Sequence, residues 1–116
     1  MRVLVADDDA HVRSALRLLL EQEPDVQVVG ESVEADALVD EITRTHAGVV
    51  LLDWELPGLR ANGLLAQMRS MEPMLRMIAM SGRPEQRGEA LRAGMDAFVC
   101  KGDAPEMLLG AMRSLD

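Results

Sequence analysis

Short apolar runs and amphipathic stretches alternate five times along this chain of 116 residues. Val3–Ala6 is a strand candidate closed by Asp7-Asp8-Asp9, after which Val12, Ala15, Leu16 and Leu19 recur at helical spacing until Pro24. Val26–Gly30 predicts a second strand, and Ala35, Leu38, Val39 and Ile42 repeat the i, i+3, i+4, i+7 pattern of a second helix. Val49–Leu52 is apolar without alternation, as in a central parallel strand covered on both faces. Leu56-Pro57-Gly58 and Asn62-Gly63 signal a loop before Leu64, Leu65 and Met68 open a third helix. Met77–Met80 predicts strand four, residues 84–93 helix four, stopped by Gly94, and Ala97–Cys100 strand five. Asp103-Ala104-Pro105-Glu106 has the form of a capping box, and Leu108, Ala111, Met112 and Leu115 give helix five an apolar face.

This alternation predicts an α/β fold with a mostly parallel sheet, right-handed crossovers and helices on both faces. The length suits one domain, residues 1–116, with no repeat, linker or low-complexity segment. A net charge of -8 argues against a nucleic-acid surface, which needs a basic stripe. The single cysteine, Cys100, excludes an intrachain disulfide and suits a reducing compartment. Met1-Arg2 runs straight into a short apolar stretch with no signal peptide, and no run is long enough for a bilayer, so a cytoplasmic protein without membrane contact is expected.

In such sheets ligands collect outside the carboxyl ends of the strands. Those ends carry Asp7 and Asp8, Asp53, Ser81 and Lys101. Two carboxylates about 5 Å apart repel by roughly 3 kcal/mol at an effective dielectric near 20, and a divalent cation removes the conflict. Clustered aspartates without His or Cys favour Mg²⁺, which takes oxygen ligands. Beside such a cation Asp53 can act as a nucleophile toward a phosphoryl donor, with the Ser81 hydroxyl and the Lys101 ammonium steadying the transferred oxygens. Of the 12 basic residues Lys101 is the only lysine, a compact charge where a planar guanidinium fits poorly.

Val5-Ala6-Asp7-Asp8, Leu51–Gly58, Ala79-Met80-Ser81-Gly82 and Ala93–Lys101 together resemble the response regulator receiver domain of two-component signalling, over essentially the whole chain. The resemblance implies a doubly wound, flavodoxin-like (βα)5 fold with five parallel strands in the order 2-1-3-4-5. It implies a phosphoacceptor at Asp53 and Mg²⁺ held by Asp8, by Asp7 through water, by Asp53 and by the backbone carbonyl of Glu55. Ser81 and Lys101 would contact the phosphoryl oxygens, and Ser81 and Phe98 would form the switch, with Phe98 turning inward on phosphorylation. The implied protein is a switch and not an enzyme, apart from self-catalysed phosphoryl transfer and slow autodephosphorylation. Its partners would be a sensor histidine kinase and an output domain or a second copy, with transcription regulation through a helix-turn-helix output. The surface of helix four, strand five and helix five would carry the signal. The alternative is a degenerate receiver that acts by contact without phosphorylation. Where the family often has a cis proline after the lysine, this chain has Gly102, and Gly82 stands where alanine is common.

A phosphohydrolase of the haloacid-dehalogenase type would carry its nucleophile after strand one and close its site with a cap, whereas here the lone central acid follows strand three and the chain leaves no room for a cap; a flavin binder would need a Ser/Thr/Gly-rich loop after strand one, where this chain has acids. Asp9 is read as a helix cap, and His11 and His46 as exposed helix residues. Cys100 is read as a small buried strand residue and the nine methionines as core filler. Trp54 is expected to flank the acceptor with its ring partly exposed.

Overall fold

In the computed structural model, which describes residues 1–115, the elements are β1 (Arg2–Ala6), α1 (Ala10–Glu21), β2 (Gln27–Ser32), α2 (Leu38–Thr45), β3 (Val49–Asp53), α3 (Leu64–Met71), β4 (Arg76–Ser81), α4 (Arg87–Arg92), β5 (Ala97–Cys100) and α5 (Pro105–Ser114). Single 3₁₀ turns, Ala35–Ala37 and Pro84–Gln86, lead into α2 and α4. The strands form one parallel sheet in the order β2-β1-β3-β4-β5, as expected.

Because side chains alternate across a strand, each strand feeds two layers. Val3, Val5, Val49, Leu51, Ile78, Met80 and Val99 pack with Leu16 and Leu20 of α1 and Leu108 and Met112 of α5. Leu4, Ala6, Val50, Leu52, Met77, Ala79 and Phe98 pack with Leu38 and Ile42 of α2, Leu65 and Met68 of α3 and Ala90 of α4. Each fully buried aliphatic side chain contributes about 1.5–3 kcal/mol, so both layers are needed to order a chain of this size. No helix among the described residues is long and apolar enough to cross a membrane.

Several local expectations are corrected. Ala15 faces solvent, and Leu20 takes a fully buried place on α1 that the pattern left out. Asp103 does not cap α5: its carboxylate turns back to accept from the Cys100 N–H at 3.2 Å, while the cap position falls on Ala104, which has no side-chain acceptor. Met68, Met77, Met80, Met95 and Met112 fill the core, but Met71, Met107 and above all Met74, at 84% exposure, lie outside it. Asp9 does cap α1, accepting from the His11 N–H at 2.8 Å. His11 is exposed on α1, whereas His46 is exposed just past α2, where its left-handed φ of 53° ends the helix. Cys100 is half-buried at the end of β5. Every peptide bond among the described residues is trans, Lys101–Gly102 included.

Candidate functional site

The carboxyl edge of the sheet is built from residues that complete its strands. The Asp7 N–H donates to the Ser32 carbonyl at 3.0 Å, extending the pairing of β1 with β2. The Lys101 N–H donates to the Ser81 carbonyl at 2.9 Å, extending that of β4 with β5. Asp53 is itself the last residue of β3. Backbone pairing therefore delivers these side chains to a common edge before any of them interacts.

Asp7 is buried, with one carboxylate oxygen accepting from the Asp9 N–H at 2.9 Å and the other from Lys101 Nζ at 2.8 Å. Asp53, 7% exposed, accepts from the Glu55 N–H at 3.0 Å, and the same oxygen lies 3.3 Å from Lys101 Nζ. Asp8 is exposed. One oxygen from each of Asp7, Asp8 and Asp53 can be chosen so that all lie within 4.8 Å of one another. Burial pushes the Asp53 carboxyl above its ordinary pKa; the Glu55 N–H opposes this, the Asp7 charge adds to it, and Lys101 offsets part of it. For Lys101, burial works against the charge, but the hydrogen bond to Asp7 and the Asp53 and Asp7 charges outweigh it. Its pKa lies above the ordinary lysine value.

An all-oxygen set of three carboxylates, with no imidazole or thiolate, suits a hard divalent cation such as Mg²⁺. The carboxylates are close enough to share one ion, and Lys101 alone cannot balance three negative charges.

Ser81 sits on the neighbouring strand, fully buried, and its side-chain hydrogen bonds go to Glu55, Arg83 and Gln86. Its Oγ donates to Glu55 Oε1 at 2.9 Å and accepts from the Arg83 N–H at 3.0 Å. Glu55 Oε1 also meets Arg83 Nε at 3.2 Å, and these two contacts, Ser81 first, hold its carboxyl below the usual pKa. The buried Gln86 completes the group, its amide 2.7 Å from Ser81 Oγ. The roles of the Glu55 side chain, Arg83 and Gln86 were not visible in the sequence. The sequence marked Glu55, two residues past Asp53, for its carbonyl and as an extra carboxylate near the site, but not as a partner of Ser81.

Phe98 is buried in the layer that includes Ala90 of α4, with the Arg87 guanidinium 5.2 Å from its ring centroid. Trp54 corrects the expectation of a partly exposed ring. It is 0% exposed because it joins the α2–α3–α4 layer, and the Arg60 guanidinium lies 5.2 Å from its centroid while pairing with Glu89 of α4 at 2.5 Å. Its Nε1 has no hydrogen-bond partner.

A family model described as the response regulator receiver domain matches residues 3–113. The chain belongs to that family. The receiver domain is 28% identical to the nitrate/nitrite response regulator protein NarL of Escherichia coli K12 over 112 residues, which is 95% of this chain and 52% of NarL. It is 34% identical over 106 residues to protein-glutamate methylesterase/protein-glutamine glutaminase 3 of Myxococcus xanthus, covering 87% of this chain and 30% of that protein. The receiver domain thus spans about half or less of the length of these curated relatives. Among solved structures, the isolated REC domain of RcsB from Salmonella enterica serovar Typhimurium, obtained in the presence of phosphomimetic BeF3-, superposes with a TM-score of 0.85 at 29% identity, covering 99% of this chain and 87% of that one. A LuxR-family two-component response regulator from Aurantimonas sp. SI85-9A1 gives a TM-score of 0.87 at 25% identity, with 98% and 83% covered.

Proposed function

We propose that the receiver domain, acting as one module, accepts a phosphoryl group on Asp53 from a sensor histidine kinase in a Mg²⁺-dependent reaction. The observation that carries this reading is the meeting of the Asp7, Asp8 and Asp53 carboxylates with Lys101, whose Nζ is 3.3 Å from the Asp53 carboxylate. Asp7, Asp8 and Asp53, with the Glu55 carbonyl, would hold Mg²⁺, which when bound supplies positive charge to the carboxylates and to the phosphoryl oxygens. An Asp53 oxygen forms the new bond to phosphorus as the bond from phosphorus to the donor atom breaks, and the leaving group takes that electron pair and a proton. Burial raises the basicity of Asp53, Lys101 neutralises the growing charge, and Asp7 fixes Lys101 in place. Ser81 must release Glu55 before its hydroxyl can serve a phosphoryl oxygen.

The phosphorylated state would shift the population of arrangements at Ser81, Phe98 and the α4–β5–α5 surface. The effect would reach an output domain or a second copy of the chain, in the cytoplasm and without nucleic-acid contact by this domain, whose net charge is -8. An output in transcription is supported by the likeness, at 28% identity and a TM-score of 0.86, to RcsB of Salmonella enterica bound to promoter rprA. The methylesterase relative favours a second reading, in which the same switch controls an attached enzyme.

The test is fluorescence of Trp54, the only tryptophan, which adjoins Asp53 in sequence. Mg²⁺ with acetyl phosphate or beryllofluoride should change the emission, and Asp53→Ala should abolish the change. A response that survives the substitution removes Asp53 from its role, and a wild-type protein that never responds fits the degenerate alternative.

A further inference from the structure

Gln86 is one of only two buried residues in the segment 84–92, the other being Ala90. A long polar side chain loses much rotamer freedom on burial and costs free energy unless its amide is paired. Its pairing is specific. With its nitrogen toward Ser81 Oγ (2.7 Å) and Glu55 Oε1 (3.3 Å), its oxygen accepts from Arg83 Nη2 at 3.0 Å; the opposite orientation sets acceptor against acceptor and donor against donor. Ser81 Oγ is then saturated, its one proton going to Glu55 and its lone pairs to Gln86 and the Arg83 N–H.

Gln86 ends the 3₁₀ turn from which α4 departs, and the next residue, Arg87, lies over Phe98. Two consecutive residues at the start of one helix therefore touch the hydroxyl and the aromatic ring. A χ1 rotation of Ser81 that carries its hydroxyl to another acceptor moves Oγ away from the buried Gln86 amide. Either Gln86 follows, carrying the turn and α4 with it, or a buried donor loses its partner.

We infer that Gln86 is a positioning residue that couples the Ser81 hydroxyl to α4, so that α4 responds to the site directly as well as through Phe98. The inference rests on the phosphoacceptor reading above. Its test is amide hydrogen exchange of residues 87–92 in the full chain, free and saturated with Mg²⁺ and beryllofluoride, for wild type and for Gln86→Met, which keeps the side-chain length without the amide. Saturation is judged by the plateau of Trp54 fluorescence. Beryllofluoride should change wild-type α4 exchange by about fivefold, the factor that one net hydrogen bond contributes. In saturated Gln86→Met that change should fall to less than about half its logarithm, while thermal melts show a folded protein. Should Gln86→Met fail to fold, Gln86→Asn, which draws the amide back by one methylene, should show the same loss. A full α4 change in a saturated variant overturns the coupling and leaves the phosphoacceptor reading standing. A wild type that never responds to beryllofluoride overturns both.

Discussion

Asp53→Asn should make the metal-free protein more stable and the Mg²⁺-loaded protein relatively less so. Two other carboxylates lie within 4.8 Å of Asp53, and at an effective dielectric of about 20 each repels it by about 3.5 kcal/mol. Lys101, at 3.3 Å, returns about 5 kcal/mol at the same dielectric. The balance is about 2 kcal/mol against the Asp53 charge, and solvent screening of the exposed Asp8 reduces it to the order of 1 kcal/mol. Burial, the main cause of the raised Asp53 pKa, works against the charge as well. Asparagine keeps the acceptor for the Glu55 N–H and drops the charge. In EDTA at neutral pH, urea titration followed by far-UV circular dichroism should place the variant about 1 kcal/mol above wild type, or roughly 4 °C in Tm. A tenfold excess of Mg²⁺ over its Kd stabilises the wild type by about 1.4 kcal/mol, and the variant, one carboxylate poorer, gains less, so its lead narrows and is lost once its affinity falls more than about tenfold. A variant less stable than wild type in EDTA would refute the electrostatic account. An equal gain from Mg²⁺ in both proteins would refute the assignment of Asp53 to the ion.

Two other outcomes follow from burial and charge. Lys101→Met should cost about 2 kcal/mol near pH 8, between the surface and buried limits for ion pairs. Because its folded pKa lies above the ordinary lysine value, that gap is fully present below about pH 10.4 and shrinks as the pH rises through the folded value. Urea titrations across alkaline pH can resolve this in a chain without tyrosine, and a gap that widens with pH would contradict it. Met77→Ala should cost about 2–5 kcal/mol and Met74→Ala less than about 0.5 kcal/mol by the same titration, although the two residues share a sequence spacing.

The strands and helices were readable because their apolar periodicities are strong, and Val49–Leu52, apolar throughout, announced the doubly covered centre of the sheet. The edge residues followed, since topology alone carries Asp7, Asp8, Asp53, Ser81 and Lys101 to one side. Contacts decided by a single rotamer were not readable. Asp103 has the sequence position of a cap, yet its carboxylate finds the Cys100 N–H of its own turn. Met71 and Met74 fall on the series that includes Met68 and Met77, but α3 ends between them and the period loses its meaning. Trp54 follows an acid at the sheet edge, where exposure is the natural guess, and only the packing of α3 and α4 shows that the indole is enclosed. The grip of Glu55 and Gln86 on Ser81 joins residues up to 31 positions apart, and no local pattern specifies it.

The placement of β3 bears on how genes for this fold can change length. Val49–Leu52 is paired on both flanks, to β1 and to β4, and its side chains go alternately to opposite layers. Loss of one codon there would drive each downstream strand side chain into the wrong layer and bring an indole to the place of the acceptor acid. Insertions and deletions are thus steered out of the strand and into solvent-facing stretches such as residues 60–63, where spare length can accumulate without displacing a carboxylate.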